Sequence, residues 1–194
     1  MRKITALLIT GIMLLALVSC GSRSGGRIVI TLRPDAAPLT CDNFESLVNE
    51  GFYNGLTFHR VIDGFMAQGG DPNGDGTGGS SRTIQGEFSA NGVDNKLYHK
   101  RGVVSMARST PYNSASSQFF ICYTDCAFLD GSYAAFGEVT EGMEVVDRFL
   151  EVKRSADSFG DLSRPDSPIR MKSVKMIEPD ESGNLRVEII MDKF

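Results

Sequence analysis

Apolar and polar positions change period several times along the chain, and each change marks an element. In RIVITLRPDAAP, Ile28, Ile30 and Leu32 alternate with Val29, Thr31 and Arg33. Period two predicts a strand, closed by Pro34. In LTCDNFESLVNEG, Phe44, Leu47 and Val48 recur at helical spacing. Thr40 fits an N-cap and Gly51 a C-terminal stop, which predicts a helix over about residues 41–50. LTFHRVI and GFMAQGG are short β-prone runs separated by an Asp63-Gly64 turn signal. DPNGDGTGGSS is a long glycine-rich loop, and GVVSMAR, SQFFICY and YAAFGEV are further short strands. EGMEVVDRFLEV predicts a second helix. Val145, Val146, Phe149 and Leu150 lie on one face, and Glu141 and Glu144 favour its N-terminal end. MKSVKMIEP is a strand, and the tail NLRVEIIMDKF could add another. Many short strands with two helices predict a mainly β fold: a closed or nearly closed antiparallel β-barrel with helical caps. Neither an internal repeat nor a second domain is visible.

The N-terminus follows other rules. MRK is basic, and residues 4–18 are an apolar run of 15, suited to a signal peptide and short for a spanning helix. Leu17-Val18-Ser19-Cys20 resembles the lipobox of bacterial lipoproteins. That resemblance implies a signal peptide over residues 1–19, lipid on Cys20, and a flexible tether over 20–26. It implies attachment to a membrane of the bacterial envelope, periplasmic side. Gly21 carries no Asp-type inner-membrane retention signal, which favours the outer membrane over the inner. The bland alternative is a plain secretory signal with a chance cysteine. Arg2 and Lys3 are the only charges in residues 1–19, so their removal takes the net charge from −4 to −6. An acidic chain lacks the basic footprint that nucleic acid requires, so no nucleic-acid partner is expected.

Cys41, Cys122 and Cys126 remain, an odd number that makes no disulfide framework. Export would permit a Cys122–Cys126 bridge. Small buried apolar side chains are an equally good reading.

Several motifs fail on context. Gly74 to Gly79 matches GxGxxG, but SSRTIQGEF follows it where a dinucleotide site needs a helix. Asp71-Pro-Asn73-Gly-Asp75-Gly76 starts like a calcium loop, yet position twelve is Arg82. The two histidines, His59 and His99, have no partners at ligand spacing. No metal and no cofactor is expected. His59 reads either as a structural histidine bonded to backbone or as catalytic. A hydrolase using His59 and a serine has no nucleophile-elbow motif to support it.

FHRVIDGFMAQGGDPNGDGTGG, residues 58–79, resembles the cyclophilin signature. GVVSMAR, SQFFICY, FLDGSYAAFGEV and EGMEVVDRF look like the family's further blocks, in its order. The resemblance spans about residues 27–178 and leaves 179–194 as a C-terminal extension. It implies an eight-stranded antiparallel barrel capped by two helices, and peptidyl-prolyl cis-trans isomerase activity on proline-containing polypeptides. Arg60 matches the family's catalytic arginine. Phe65, Met66, Phe120 and Leu129 match its proline pocket. Gln68 and Gln118 match positions that bond substrate backbone or hold the arginine. Ala107 and Arg108 match the strip where the peptide main chain docks, and Gly76 lines the neighbouring groove. Phe128 stands where many relatives have Trp, and Tyr133 where His is common. Loss of the indole N–H predicts weak or no cyclosporin binding. A monomer is the default. The competing function is a proline-peptide-binding chaperone module with incidental turnover.

Overall fold

A computed structural model describes residues 25–157 and 160–194. The lipobox, Cys20 and nearly all of the tether lie outside the described residues.

Eight antiparallel strands close into a barrel. In chain order they include β1 (Gly26–Leu32), β2 (Thr57–Ile62), β3 (Met66–Asp71), β4 (Val103–Met106), β5 (Phe119–Cys122) and β6 (Ala135–Glu141). Two short strands, β7 (Arg154–Ala156) and β8 (Leu162–Pro165), pair only with each other. β9 (Ile169–Ile177) and β10 (Arg186–Met191) complete the barrel, in the order β1-β10-β9-β2-β3-β5-β4-β6. The tail strand is therefore a stave, not an appendage. β10 pairs with β1 on one side and β9 on the other, so the barrel closes through it.

Helix α1 spans Pro38–Asn49. The predicted N-cap, Thr40, is instead a buried residue inside the first turn, and the helix starts three residues earlier at Pro38. Proline suits that position, where its missing N–H costs nothing. A distant side chain does the capping. The buried Glu87 carboxylate accepts from the Leu39 N–H at 3.0 Å and from the Thr40 N–H and hydroxyl at 2.7 and 2.6 Å. Such a long-range cap cannot be read from local spacing. The predicted stop holds. Gly51 takes φ +71°, its N–H reaches the Val48 carbonyl, and the Phe52 N–H reaches that of Leu47. These two bonds are the Schellman pattern. Helix α2 (Met143–Asp147) runs on into a 3-10 turn over Arg148–Glu151.

The barrel interior is solid. Phe44 of α1 lies 5.0 Å from Phe136 and 5.4 Å from Phe119 between ring centroids. Phe119 reaches Phe58 at 5.8 Å, and Phe58 reaches Phe149 at 4.9 Å. A chain of rings thus links the two helices through the core, and aromatic pairs at such spacings are favourable beyond their burial. With the inside filled, a binding site has to lie on the outer surface.

Candidate active site

A strand irregularity aims the central cation. Phe58 pairs with Gly69 and Arg60 with Gln68, which leaves His59 as the extra residue of a β-bulge. In an unbroken strand, Phe58 and Arg60 would share a face. With the bulge, Phe58 and Val61 both enter the core while Arg60 borders an outer cavity. The same rung continues across the sheet: Gln68 faces Phe120, and Phe120 faces Ser105. Two rungs on, on the same face, lie Ile62, Met66 and Cys122.

These rungs and the segment after β5 enclose a cavity of about 250 Å3. Buried Met66, Phe120 and Leu129 form its deep part, and half-buried Phe65, Ala107 and Tyr133 its walls. Arg60, Gln68 and Arg108 stand at its rim. It falls below the usual range for drug-sized ligands, so it suits one apolar side chain rather than a cofactor. Met66, Phe120, Cys122, Cys126 and Leu129 form an apolar cluster separate from the main core.

Phe120 is held from behind. The His99 ring stacks on it at 6.1 Å and 15°. His99 Nδ1 lies 2.8 Å from the Asp130 carboxylate, and Nε2 lies 2.9 Å from Ser105 Oγ. Burial pushes the His99 pKa down against the pull of Asp130, which keeps the ring neutral at pH 7. This Ser-His-Asp order invites a hydrolase reading, but Ser105 is fully buried and no substrate can reach its hydroxyl. His59 offers nothing better. Both its ring nitrogens are buried and find no hydrogen-bond partner among the described residues, so the expected bond to backbone is not made there. Its pKa is lowered, chiefly by burial, despite Asp71 nearby.

Gln68 donates to Gln118 at 2.8 Å, and Gln118 donates to the carbonyls of Gly76 and Gly78 at 3.1 and 2.7 Å. The pair ties β3 to the glycine-rich loop instead of holding Arg60. Among the described residues nothing accepts a hydrogen bond from the Arg60 guanidinium. The loop turns through Gly76 at φ +90°, a value that favours glycine. It is organised by buried Asp71, which accepts N–H bonds from Asn73, Asp75 and Gly76. Gln118, Gly76, Ala107 and Arg108 line an adjoining cleft of about 150 Å3.

Arg108 is fully engaged. It donates to the carbonyls of Ser109, Thr110 and Ser132 and lies 4.7 Å from the Tyr133 ring and 5.2 Å from that of Tyr112. Phe128 stands outside the cavity, 72% exposed, its ring 5.5 Å from Phe65. Cys41, Cys122 and Cys126 are buried free thiols. Burial raises the Cys41 pKa to about 12 and pushes Cys122 and Cys126 up as well. Among the described residues no cluster of His, Cys, Asp and Glu could hold a metal.

One part was missing from the sequence reading. The β7–β8 hairpin walls a second, larger cavity of about 520 Å3 on the other side of Arg60. Its segment carries only turn-like composition, with no periodicity to mark it.

Residues 17–176 match the family model described as cyclophilin type peptidyl-prolyl cis-trans isomerase/CLD. The chain is 42% identical over 161 residues to peptidyl-prolyl cis-trans isomerase A of Dickeya dadantii, covering 80% of this chain and 82% of that protein. It is 48% identical over 120 residues to peptidyl-prolyl cis-trans isomerase B of Bacillus subtilis, covering 62% and 80%. A Cryptosporidium parvum cyclophilin type peptidyl-prolyl cis-trans isomerase, crystallised in the presence of the dipeptide Ala-Pro, superposes with a TM-score of 0.66 at 34% identity. That match covers 77% of this chain and 91% of the other.

Proposed function

The chain belongs to the cyclophilin-type peptidyl-prolyl cis-trans isomerases, and from that premise we propose that Arg60 is its catalytic residue and the 250 Å3 cavity its proline pocket. An X-Pro bond resists rotation because its nitrogen lone pair is delocalised into the carbonyl, with a barrier of about 18–20 kcal/mol. Uncatalysed exchange takes on the order of tens to hundreds of seconds. Midway through rotation the nitrogen becomes pyramidal and its lone pair localises. A fixed N–H aimed at that lone pair binds the twisted state better than the planar one, which is what lowers a barrier. No covalent bond forms or breaks, so neither nucleophile nor general base is needed.

The observation that carries the assignment is a half-buried guanidinium, unpartnered among the described residues, beside a small apolar cavity. The cavity would grip the ring while the preceding carbonyl swings, with Leu129 and Tyr133 against it. Gln68, Gln118, Gly76, Ala107 and Arg108 would dock the main chain beside it, and exposed Phe128 would meet the substrate outside the cavity, next to Phe65. A relative studied in the presence of Ala-Pro supports a proline-containing peptide as the ligand. We extend the reading to an exported, lipid-anchored enzyme that assists folding in the bacterial envelope, on the strength of the lipobox-like Leu17–Cys20.

Exchange NMR on a short proline-containing peptide tests the function. Substoichiometric protein should speed cis-trans exchange. Binding without acceleration would make the chain a proline-peptide-binding module instead.

A further inference from the structure

The cavity behind Arg60 shares Arg60, Gln68 and Gly76 with the two clefts of the proposed site, so it continues the same groove. Its volume, about 520 Å3, admits a long side chain. Four charged groups line it: Arg60, Arg164, Asp75 and Asp157. The two acids are engaged by their own loops. Asp75 accepts from the Thr77 N–H at 2.9 Å and hydroxyl at 2.6 Å. Asp157 accepts from the Asp161 N–H at 3.1 Å and the Ser163 hydroxyl at 2.8 Å. The two arginines differ. Among the described residues neither has a carboxylate partner and neither guanidinium donates a hydrogen bond. Arg108, at the opposite rim, spends its donors on carbonyls and rings, so its charge also stands without a counter-carboxylate. A chain with a net charge of −4 thus sets three cations around its groove beside the two acids, and two of those cations have free donors.

We infer that this cavity is a specificity subsite for an acidic side chain of the substrate polypeptide near its proline, with exposed Arg164 on β8 as the residue that reads it. A carboxylate matches the free fork of a guanidinium in both charge and geometry. An amide of the same length meets only the hydrogen bonds, and a lysine meets two like charges, its counter-charges being Asp75 and Asp157, which already accept bonds from their own loops. The inference rests on the isomerase reading above and adds the substrate class.

The test is exchange NMR on peptides carrying Glu, Gln or Lys at each of the two positions before and after an Ala-Pro pair. At one of these positions the wild type should favour Glu over Gln by about three- to tenfold in kcat/KM, and disfavour Lys. The preference should weaken with salt, because Arg164 is exposed. Arg164→Lys should keep a preference for Glu, and Arg164→Glu should invert the order of Glu and Lys. Ratios are taken within each variant, so partial loss of folded protein cancels. Equal wild-type rates for all three peptides at every position overturn the subsite and leave the isomerase standing. An Arg164→Glu variant with the wild-type Glu/Lys ratio does the same. Failure to accelerate even the Gln peptides overturns the isomerase reading itself.

Discussion

Replacing Asp71 with Asn probes how the glycine-rich loop is held beside Arg60. The Asp71 side chain is 1% exposed. One oxygen accepts the Asn73 N–H at 2.8 Å, and the other accepts those of Asp75 at 3.2 Å and Gly76 at 2.6 Å. Hydrogen bonds to a charged acceptor contribute about 1.5–3 kcal/mol each, and an unmet buried donor costs about 1–3 kcal/mol. Asn keeps one acceptor oxygen, loses the charge, and turns an NH2 toward at least one backbone N–H. With the 3.2 Å contact weighted lightly, Asp71→Asn should destabilise the fold by about 2–4 kcal/mol. For a domain of this size that is a fall of roughly 5–15 °C in Tm. The carboxyl group also fixes a pH signature. Burial alone would raise its pKa, but the N–H groups of Asn73, Gly76, Gly78 and Asp75 outweigh burial and hold it below the usual carboxylate range. A depressed pKa stabilises the fold above the unfolded value of about 3.9, and that contribution vanishes as pH falls through the lower folded value. The gap between wild type and variant, measured by urea unfolding from pH 7 to pH 3, should therefore be full above about pH 5 and shrink below about pH 4. Because Gln118 binds the carbonyls of Gly76 and Gly78, kcat/KM should also fall, by about tenfold. A variant within about 0.5 kcal/mol of wild type, or a gap that does not narrow in acid, would refute this account of the loop.

Two further outcomes test the periphery of the site and the anchor. Cyclosporin should bind weakly while peptide turnover persists. Phe128→Trp, which restores an indole donor on the exposed edge beside Phe65, should tighten cyclosporin by about tenfold in a fluorescence titration. Nanomolar inhibition of the unaltered chain would contradict the role given to Phe128. Mass spectrometry of detergent-extracted protein from a bacterial host should find Cys20 acylated at the mature N-terminus, and an unmodified, freely soluble product would rule out the lipoprotein reading.

Much of the architecture was legible because period and punctuation are local. Ile28, Ile30 and Leu32 all face the core, and Gly51 ends α1 where it was expected to. What escaped depends on contacts remote in sequence. Glu87 caps a helix that begins 49 residues before it, which displaced Thr40 from the capping role. The bulge at His59 reverses the face of Arg60, and strict alternation would have placed that charge on the same side as Phe58. Phe65, Met66, Phe120 and Leu129 read individually as core. Only the pairing of β3 with β5 and the segment beyond brings them together as a second, smaller apolar cluster. The β7–β8 hairpin lacked any pattern, and with it Arg164 passed unnoticed.

A catalytic Arg60 acts on the twisted imide and not on the resting peptide. Exchange NMR on Arg60→Ala measures both sides of it, giving the catalysed rate and the peptide Kd from one titration series. The expected loss in kcat is about 100- to 1000-fold, comparable to removing a donor aimed at transition-state charge. Kd should stay within about threefold of wild type. A variant that turns over at the wild-type rate, or one whose rate falls only as far as its binding, would contradict it.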